Sequence, residues 1–183
     1  DTPFFDLALQ KGWRIAPGGG QDNHRRGWGL RNDFRIGVQA LELTRDGIAE
    51  AFLARRFYST EDKNLLLDFR SSGHPMGSRL AGLPRVFTVT AGDRGGDEFE
   101  RIRLFRNGEL LQEAAVSGNA VTAAFEDPHG SGNDYYHVIV TQTDDGDWNG
   151  RNDEAVSAPI WFEDGPADTP RIPACGMVEA ADG

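Results

Sequence analysis

The sequence predicts an α/β opening followed by an all-β domain, and three observations predict it. Apolar residues recur at helical spacing twice before residue 60, with short strand-like runs between them. From about residue 63 the apolar period changes to two, through Leu65, Leu67 and Phe69, Phe87 and Val89, Ile102 and Leu104, Val121 and Ala123, then Tyr136, Val138 and Val140, and finally Ile160 and Phe162. Asn107-Gly108 stands between two such runs, the dipeptide that a two-residue hairpin turn prefers. The expected organisation is an α/β piece over 1–63, an antiparallel Ig-like β-sandwich over 64–163 and a flexible tail over 164–183.

The elements follow in order. Thr2 can cap a first helix, Pro3 suits its first turn, Phe4, Leu7 and Ala8 form its apolar stripe, and Gly12 ends it. Arg14 to Ala16 reads as a strand running into three glycines, and Arg35 to Leu41 alternates as a second strand. Thr44 caps a second helix reaching about Arg56, with Ile48, Ala51, Phe52 and Arg55 at helical spacing. Two strands and two helices bury too little to stand alone, so this opening either packs on the sandwich or completes a larger barrel. After Asp164, Pro, Gly and acidic residues follow one another without periodicity, as in a poorly ordered tail.

Composition narrows the function classes. With 19 Lys plus Arg against 29 Asp plus Glu, the net charge of -10 argues against general nucleic-acid binding or a membrane-surface partner. No apolar run approaches the ~20 residues of a membrane span. Cys175 is the single cysteine, so neither an intrachain disulfide nor a thiolate cluster is available, and localisation stays open. Asp1-Thr2-Pro3 has neither signal-peptide character nor an initiator Met, which suggests a mature form or a fragment.

The chemistry gathers at Gln21-Asp22-Asn23-His24. Asp22 and His24 are two residues apart, so on an extended segment they point the same way and can reach a common metal or substrate. The competing reading is a solvated polar loop. A second acidic stretch carries Asp145, Asp147 and Asn149 followed by Gly150, the first half of a calcium-loop pattern. Its twelfth position is Val156 instead of Glu, and a solvated hairpin loop explains it equally well. His74, His129 and His137 lack partners at ligand spacing and read as surface or satisfied strand histidines.

Lys11-Gly12-Trp13, Gln21-Asp22-Asn23-His24, Trp28-Gly29, Leu43-Thr44-Arg45, the run Ala54 to Asp62, Pro75-Met76-Gly77, Tyr135-Tyr136 and Ala158-Pro159-Ile160-Trp161 together resemble the C-terminal part of PHP-type (polymerase and histidinol phosphatase) metal-dependent phosphoesterases. The resemblance covers nearly the whole chain to about Glu163. It implies that residues 1–63 are the terminal βα units of a (β/α)7, TIM-like barrel, with the β-sandwich appended. It also implies that Asp22 and His24 are the family's last Asp-x-His metal ligands, holding Zn, Mn, Fe or Mg. The family's earlier His-x-His motif and middle ligands have no counterpart here, so the site is expected to be incomplete and this chain alone inactive.

The implied function is phosphoric ester hydrolysis by a parent enzyme, with the rest of the barrel, or another chain, as partner and a small phosphorylated molecule as substrate. Arg25 and Arg26 flank the ligand pair and could hold phosphate. The alternative is a non-catalytic β-sandwich that binds carbohydrate or a protein partner.

Overall fold

The computed structural model describes residues 2–30, 32–143 and 151–164. The elements are α1 (Thr2–Gln10), β1 (Arg35–Val38), α2 (Arg45–Leu53), β2 (Phe57–Thr60), β3 (Leu65–Ser71), β4 (His74–Pro75), β5 (Arg79–Leu80), β6 (Val86–Asp93), β7 (Phe99–Arg106), β8 (Glu109–Ala115), β9 (Ala120–Glu126), β10 (Asp134–Gln142), β11 (Glu154–Ser157) and β12 (Ile160–Phe162). They form two sheets. The smaller runs β4-β3-β6-β9 with every neighbour antiparallel. The larger is built around β10, which pairs with β7 along one edge and with β11 and then β12 along the other. Beyond β7 lies β8, beyond β11 lie β2 and β1, and β12 pairs in parallel with β5.

Strict alternation along the strands builds the core. Leu65, Leu67 and Phe69 of β3, Phe87, Val89 and Ala91 of β6, and Val121, Ala123 and Phe125 of β9 face inward from the smaller sheet. They meet Ile102, Leu104, Tyr136, Val138, Val140 and Ile160 from the larger one. Phe87 lies 4.6 Å from the Tyr136 ring and 6.0 Å from Phe162, so aromatic contacts join the sheets at one end. Asn107 and Gly108 both hold positive φ, as the tight turn between β7 and β8 requires.

The barrel expected over 1–63 is absent, and the fold class is corrected accordingly: the protein is predominantly antiparallel β with two nine-residue helices and no βα barrel units. β1 and β2 pair antiparallel, Val38 opposite Phe57 and Arg35 opposite Thr60, and β2 continues onto β11 in the larger sheet. Between them α2 is an insertion in a hairpin loop, not a crossover. Thr44 Oγ1 caps it by accepting from the Gly47 amide at 3.0 Å. Arg55, at φ 57°, turns the chain just after the helix. Arg56 is then buried: its guanidinium forks onto Glu50 and its Nε donates to the Gln39 carbonyl at 3.2 Å. The Gln39 amide donates to the Arg56 carbonyl at 2.8 Å, extending the antiparallel ladder past the helix. Nine helical residues span only about 14 Å, and both of their ends are clamped at one end of the hairpin. The segment expected as a strand at Arg14 to Ala16 joins no sheet; Ile15 packs beside Leu9, Tyr135 and Trp161 on the outer face.

α1 covers that outer face over β10. His137, expected as a surface or satisfied histidine, is fully buried there, stacked on Phe105 at 5.0 Å and edge-on to Phe5 at 5.7 Å. Neither ring nitrogen has a hydrogen-bond partner, and Asp6 Oδ1, at 3.9 Å, is out of hydrogen-bond reach. Burial pushes His137 down to about 4. The unfolded chain therefore takes up this proton first, and the stability contributed by the neutral ring is lost as pH falls from about 6.5 toward 4. Asp6, raised by burial, works in the opposite direction.

Two measurements check this account. In His137→Phe, urea unfolding across pH 4 to 6.5 should lose up to one proton's worth of slope, about 1.4 kcal/mol per pH unit. A Cβ at Gly37 would collide with the Tyr58 ring lying across from it in the β1–β2 ladder. Gly37→Ala should cost on the order of 2 to 3 kcal/mol in the same assay, whereas a β1 that did not pair with β2 would tolerate it.

Candidate functional site

The loop carrying Asp22 and His24 leads into β1 and is braced by its own polar side chains. Of Gly18, Gly19 and Gly20, none has positive φ, and only Gly19 is sterically required: a Cβ there would run into Ser59 Oγ of β2 and the Arg35 carbonyl. Next, Gln21 spans the loop. Its Oε1 accepts from the Gly29 amide at 2.6 Å, its Nε2 donates to the Asn32 carbonyl, and its own carbonyl accepts from Asn32 Nδ2. Arg35 closes the base, donating to the carbonyls of Gly29, Asn32 and Phe34. Asn23 turns inward, bonding the Gly27 carbonyl and the Arg25 amide.

With Asn23 committed to the loop, its two neighbours face outward together. Asp22 adopts the left-handed backbone at φ 44°, and its side chain is 91% exposed against 83% for His24. His24 Nε2 lies 2.8 Å from Asp22 Oδ1. A carboxylate oxygen and an imidazole nitrogen are thus presented to one volume of solvent, a donor pair that suits zinc, manganese or iron. Arg25 and Arg26 are exposed beside them. Among the described residues no third carboxylate, imidazole or thiol joins this pair, because the cluster of three such groups lies elsewhere.

Among the described residues, ten of the twelve large apolar side chains left exposed lie between Phe4 and Leu53, among them Trp13, Trp28, Leu30, Leu41, Leu43 and Leu53.

The three-carboxylate cluster comprises Asp62 after β2, Asp93 at the end of β6 and Asp97 in the following turn, with ligand atoms within 4.8 Å of one another. Gln142, closing β10, sets its amide between them, Nε2 lying 3.2 Å from Asp62 Oδ2 and 3.1 Å from Asp93 Oδ2. Burial and the hydrogen-bonded Asp93 carboxylate push Asp62 up to about 6. Asp93 is held low: its burial works upward, but the hydrogen bond to Asp62 and the backbone amides of Asp97 and Gly96 outweigh it. The sequence reading missed this cluster. Its visible trace is an acidic residue in each of two turns, after Thr60 and after Gly92, and only the topology brings those turns to the same end of the molecule. Asp145, Asp147 and Asn149, the half calcium loop, lie outside the described residues, as does Cys175.

A cleft on the α1 side is lined by Trp13, Arg14, Arg79, Tyr135, Trp161 and Glu163. Glu163 pairs with both Arg14 and Arg79 across it, at 2.5 Å each.

No family model matches the chain, and no solved structure matches it. An uncharacterized protein of Chlamydia pneumoniae is similar at 28% identity over 137 residues, a match covering 66% of this chain and 21% of that protein. The chain therefore spans about a fifth of the length of the relative it matches.

Proposed function

We propose that this chain is the part of a metal-dependent phosphoesterase that supplies Asp22 and His24 as ligands of a divalent-metal site whose remaining ligands come from elsewhere in a longer protein. The observation that carries the reading is the outward pairing of Asp22 and His24 on a braced loop. The apolar side chains left exposed between Phe4 and Leu53 support it, since a further portion of protein packed against this stretch would cover them.

The chemistry follows from the donors. Two protein ligands leave most of a divalent ion's sphere to water, whereas a catalytic zinc site typically uses three. Completion by further ligands would hold the ion firmly enough to polarise a phosphoryl oxygen and to lower the pKa of bound water toward 7. Arg25 and Arg26 would meet the charge of the phosphate. Asp22 and His24 would hold the ion, the carboxylate as a charged oxygen donor and the imidazole as a neutral nitrogen donor.

A second reading, the carbohydrate-binding module, draws on the cleft beside Trp13, Tyr135 and Trp161, where the exposed Trp13 ring offers an apolar face to a sugar. Among its charged groups, Arg14, Arg79 and Glu163 already pair with one another, and the Tyr135 hydroxyl is a polar atom of the lining that has no hydrogen-bond partner.

In the longer protein, Asp22→Ala or His24→Ala should lower bound metal, measured by mass spectrometry, and hydrolysis of a generic phosphodiester together, each by at least about tenfold. Unchanged metal and rate in both variants would remove the assignment. Binding of a soluble glycan by the wild type, abolished in Trp13→Ala, would favour the module instead.

A further inference from the structure

The cleft on the α1 side lies between the end of α1, the Trp13-Arg14 segment and strands β5, β10 and β12. Its volume of about 660 Å³ falls within the range of roughly 300 to 1,000 Å³ that small-molecule sites occupy. Trp13 is 64% exposed beside it, whereas Tyr135 and Trp161 are buried in its lining. Space alone makes no site; the polar groups around it decide what it can take.

Tyr135 supplies the first of them. The residue lines the cleft and is only 8% exposed, yet its hydroxyl has no hydrogen-bond partner. The Gln10 amide of the lining is near it, because a Cβ built on Gly108 would lie 3.4 Å from the Tyr135 hydroxyl and 2.9 Å from Gln10 Nε2. Burial, with the Asp6 charge second, pushes Tyr135 up to about 12, so the hydroxyl keeps its proton and remains a donor at neutral pH. Buried hydroxyls are ordinarily paired, and this one is left for a ligand atom to meet.

Charge selects the ligand. Arg14 and Arg79 share the single carboxylate of Glu163; Arg14 meets it through one nitrogen and keeps 47% of its side chain exposed. Two further guanidiniums stack on rings of the lining, Arg55 over Trp161 at 5.6 Å and Arg85 over Phe162 at 4.8 Å. Of the lining carboxylates, Asp134 is committed to Asn107 Nδ2 at 2.7 Å and the Ser131 amide at 3.0 Å, and Glu163 is shared as described, which leaves Asp164 at the surface. Four guanidiniums thus stand against three carboxylates, in a chain whose net charge is -10. We propose that this cleft binds a small aromatic acid, its ring against Trp13, its carboxylate or phosphate on Arg14, and a polar atom on the Tyr135 hydroxyl. A guanidinium with several N–H groups to spare matches either acid, and the Trp13 face matches a planar ring. The site needs neither Asp22 nor His24 and stands apart from the metal reading.

The test titrates the 183-residue chain, with chelator present, by calorimetry at low salt. The probes are 1-naphthaleneacetate, 1-naphthyl phosphate and the uncharged 1-naphthaleneethanol. At least one acid should bind at one per chain with a Kd of about 1 mM or tighter, and the alcohol at least about tenfold more weakly. The tighter acid identifies the group that Arg14 takes. Arg14→Gln leaves Glu163 paired with Arg79 and should weaken the acid at least about tenfold, with Trp13→Ala doing likewise. Tyr135→Phe should weaken it about threefold or more without lowering the melting temperature, because the hydroxyl it removes has no partner in the free protein. Should one of these variants fail to fold, the contrast between acid and alcohol in the wild type still decides. Absence of acid binding at concentrations on the order of 10 mM would overturn the proposal, as would equal binding of the alcohol or binding unchanged in Arg14→Gln. Binding lost in an Arg25→Gln, Arg26→Gln double variant but kept in Arg14→Gln would overturn it too, moving the anion to the Asp22–His24 loop. A soluble glycan that binds through Trp13 while neither acid does would give the cleft to the carbohydrate reading.

Discussion

Everything in this protein depends on β10 being buried on both faces and paired along both edges. All nine of its residues, Asp134 to Gln142, are buried. Tyr136, Val138 and Val140 face the smaller sheet and belong to the common core. Tyr135 and His137, pointing the other way, need a second cover, which α1 supplies through Phe5 and Leu9. One edge is satisfied by β7 over most of its length, while the other is shared between β11 and β12. Where β11 leaves and β12 has not yet begun, the Val138 amide is met by Ser157 Oγ at 3.0 Å, so the gap leaves no buried donor unpaired.

That arrangement closes the two ends of the structure differently. At the β9–β10 end, Asp127 accepts from the Tyr136 hydroxyl at 2.8 Å, Arg106 at 3.0 Å and the His129 amide at 3.0 Å, and Arg85 lies over the Phe162 ring. These donors hold Asp127 below the usual carboxylate range although its burial works against them. At the opposite end Gln142 is the only group described as bridging Asp62 to Asp93, and one half of its amide is left over.

The apolar stretch from Phe4 to Leu53 is the other asymmetry. β1 and β2 attach it to the larger sheet, and Arg56 and Glu50 hold α2 against that hairpin, yet Trp28, Leu30, Leu43 and Leu53 remain in solvent. Polar bracing by Gln21 and Arg35 keeps the Asp22–His24 loop ordered without burying its apolar residues. The loop is therefore shaped in advance of any contact, as a ligand pair completed by another portion of protein would need to be.

By itself the sequence determined what depends on neighbours along the chain: the α2 cap at Thr44, the period of two in the strands from Leu65 onward, the Asn107-Gly108 turn, and the closeness of Asp22 and His24. Caps, turns and alternation act over a few residues, so their signals are local. Tertiary structure alone decided the direction of β2 relative to β1, the burial of His137, and the meeting of Asp62, Asp93 and Gln142. A helix between two strands carries the same apolar period whether it crosses over a sheet or sits in a hairpin loop, and here Arg55, Arg56 and the ladder onto β11 chose the hairpin. Asp62 and Gln142 stand 80 positions apart, and no local rule couples them; strand pairing across the whole domain is what brings the two side chains within hydrogen-bond reach.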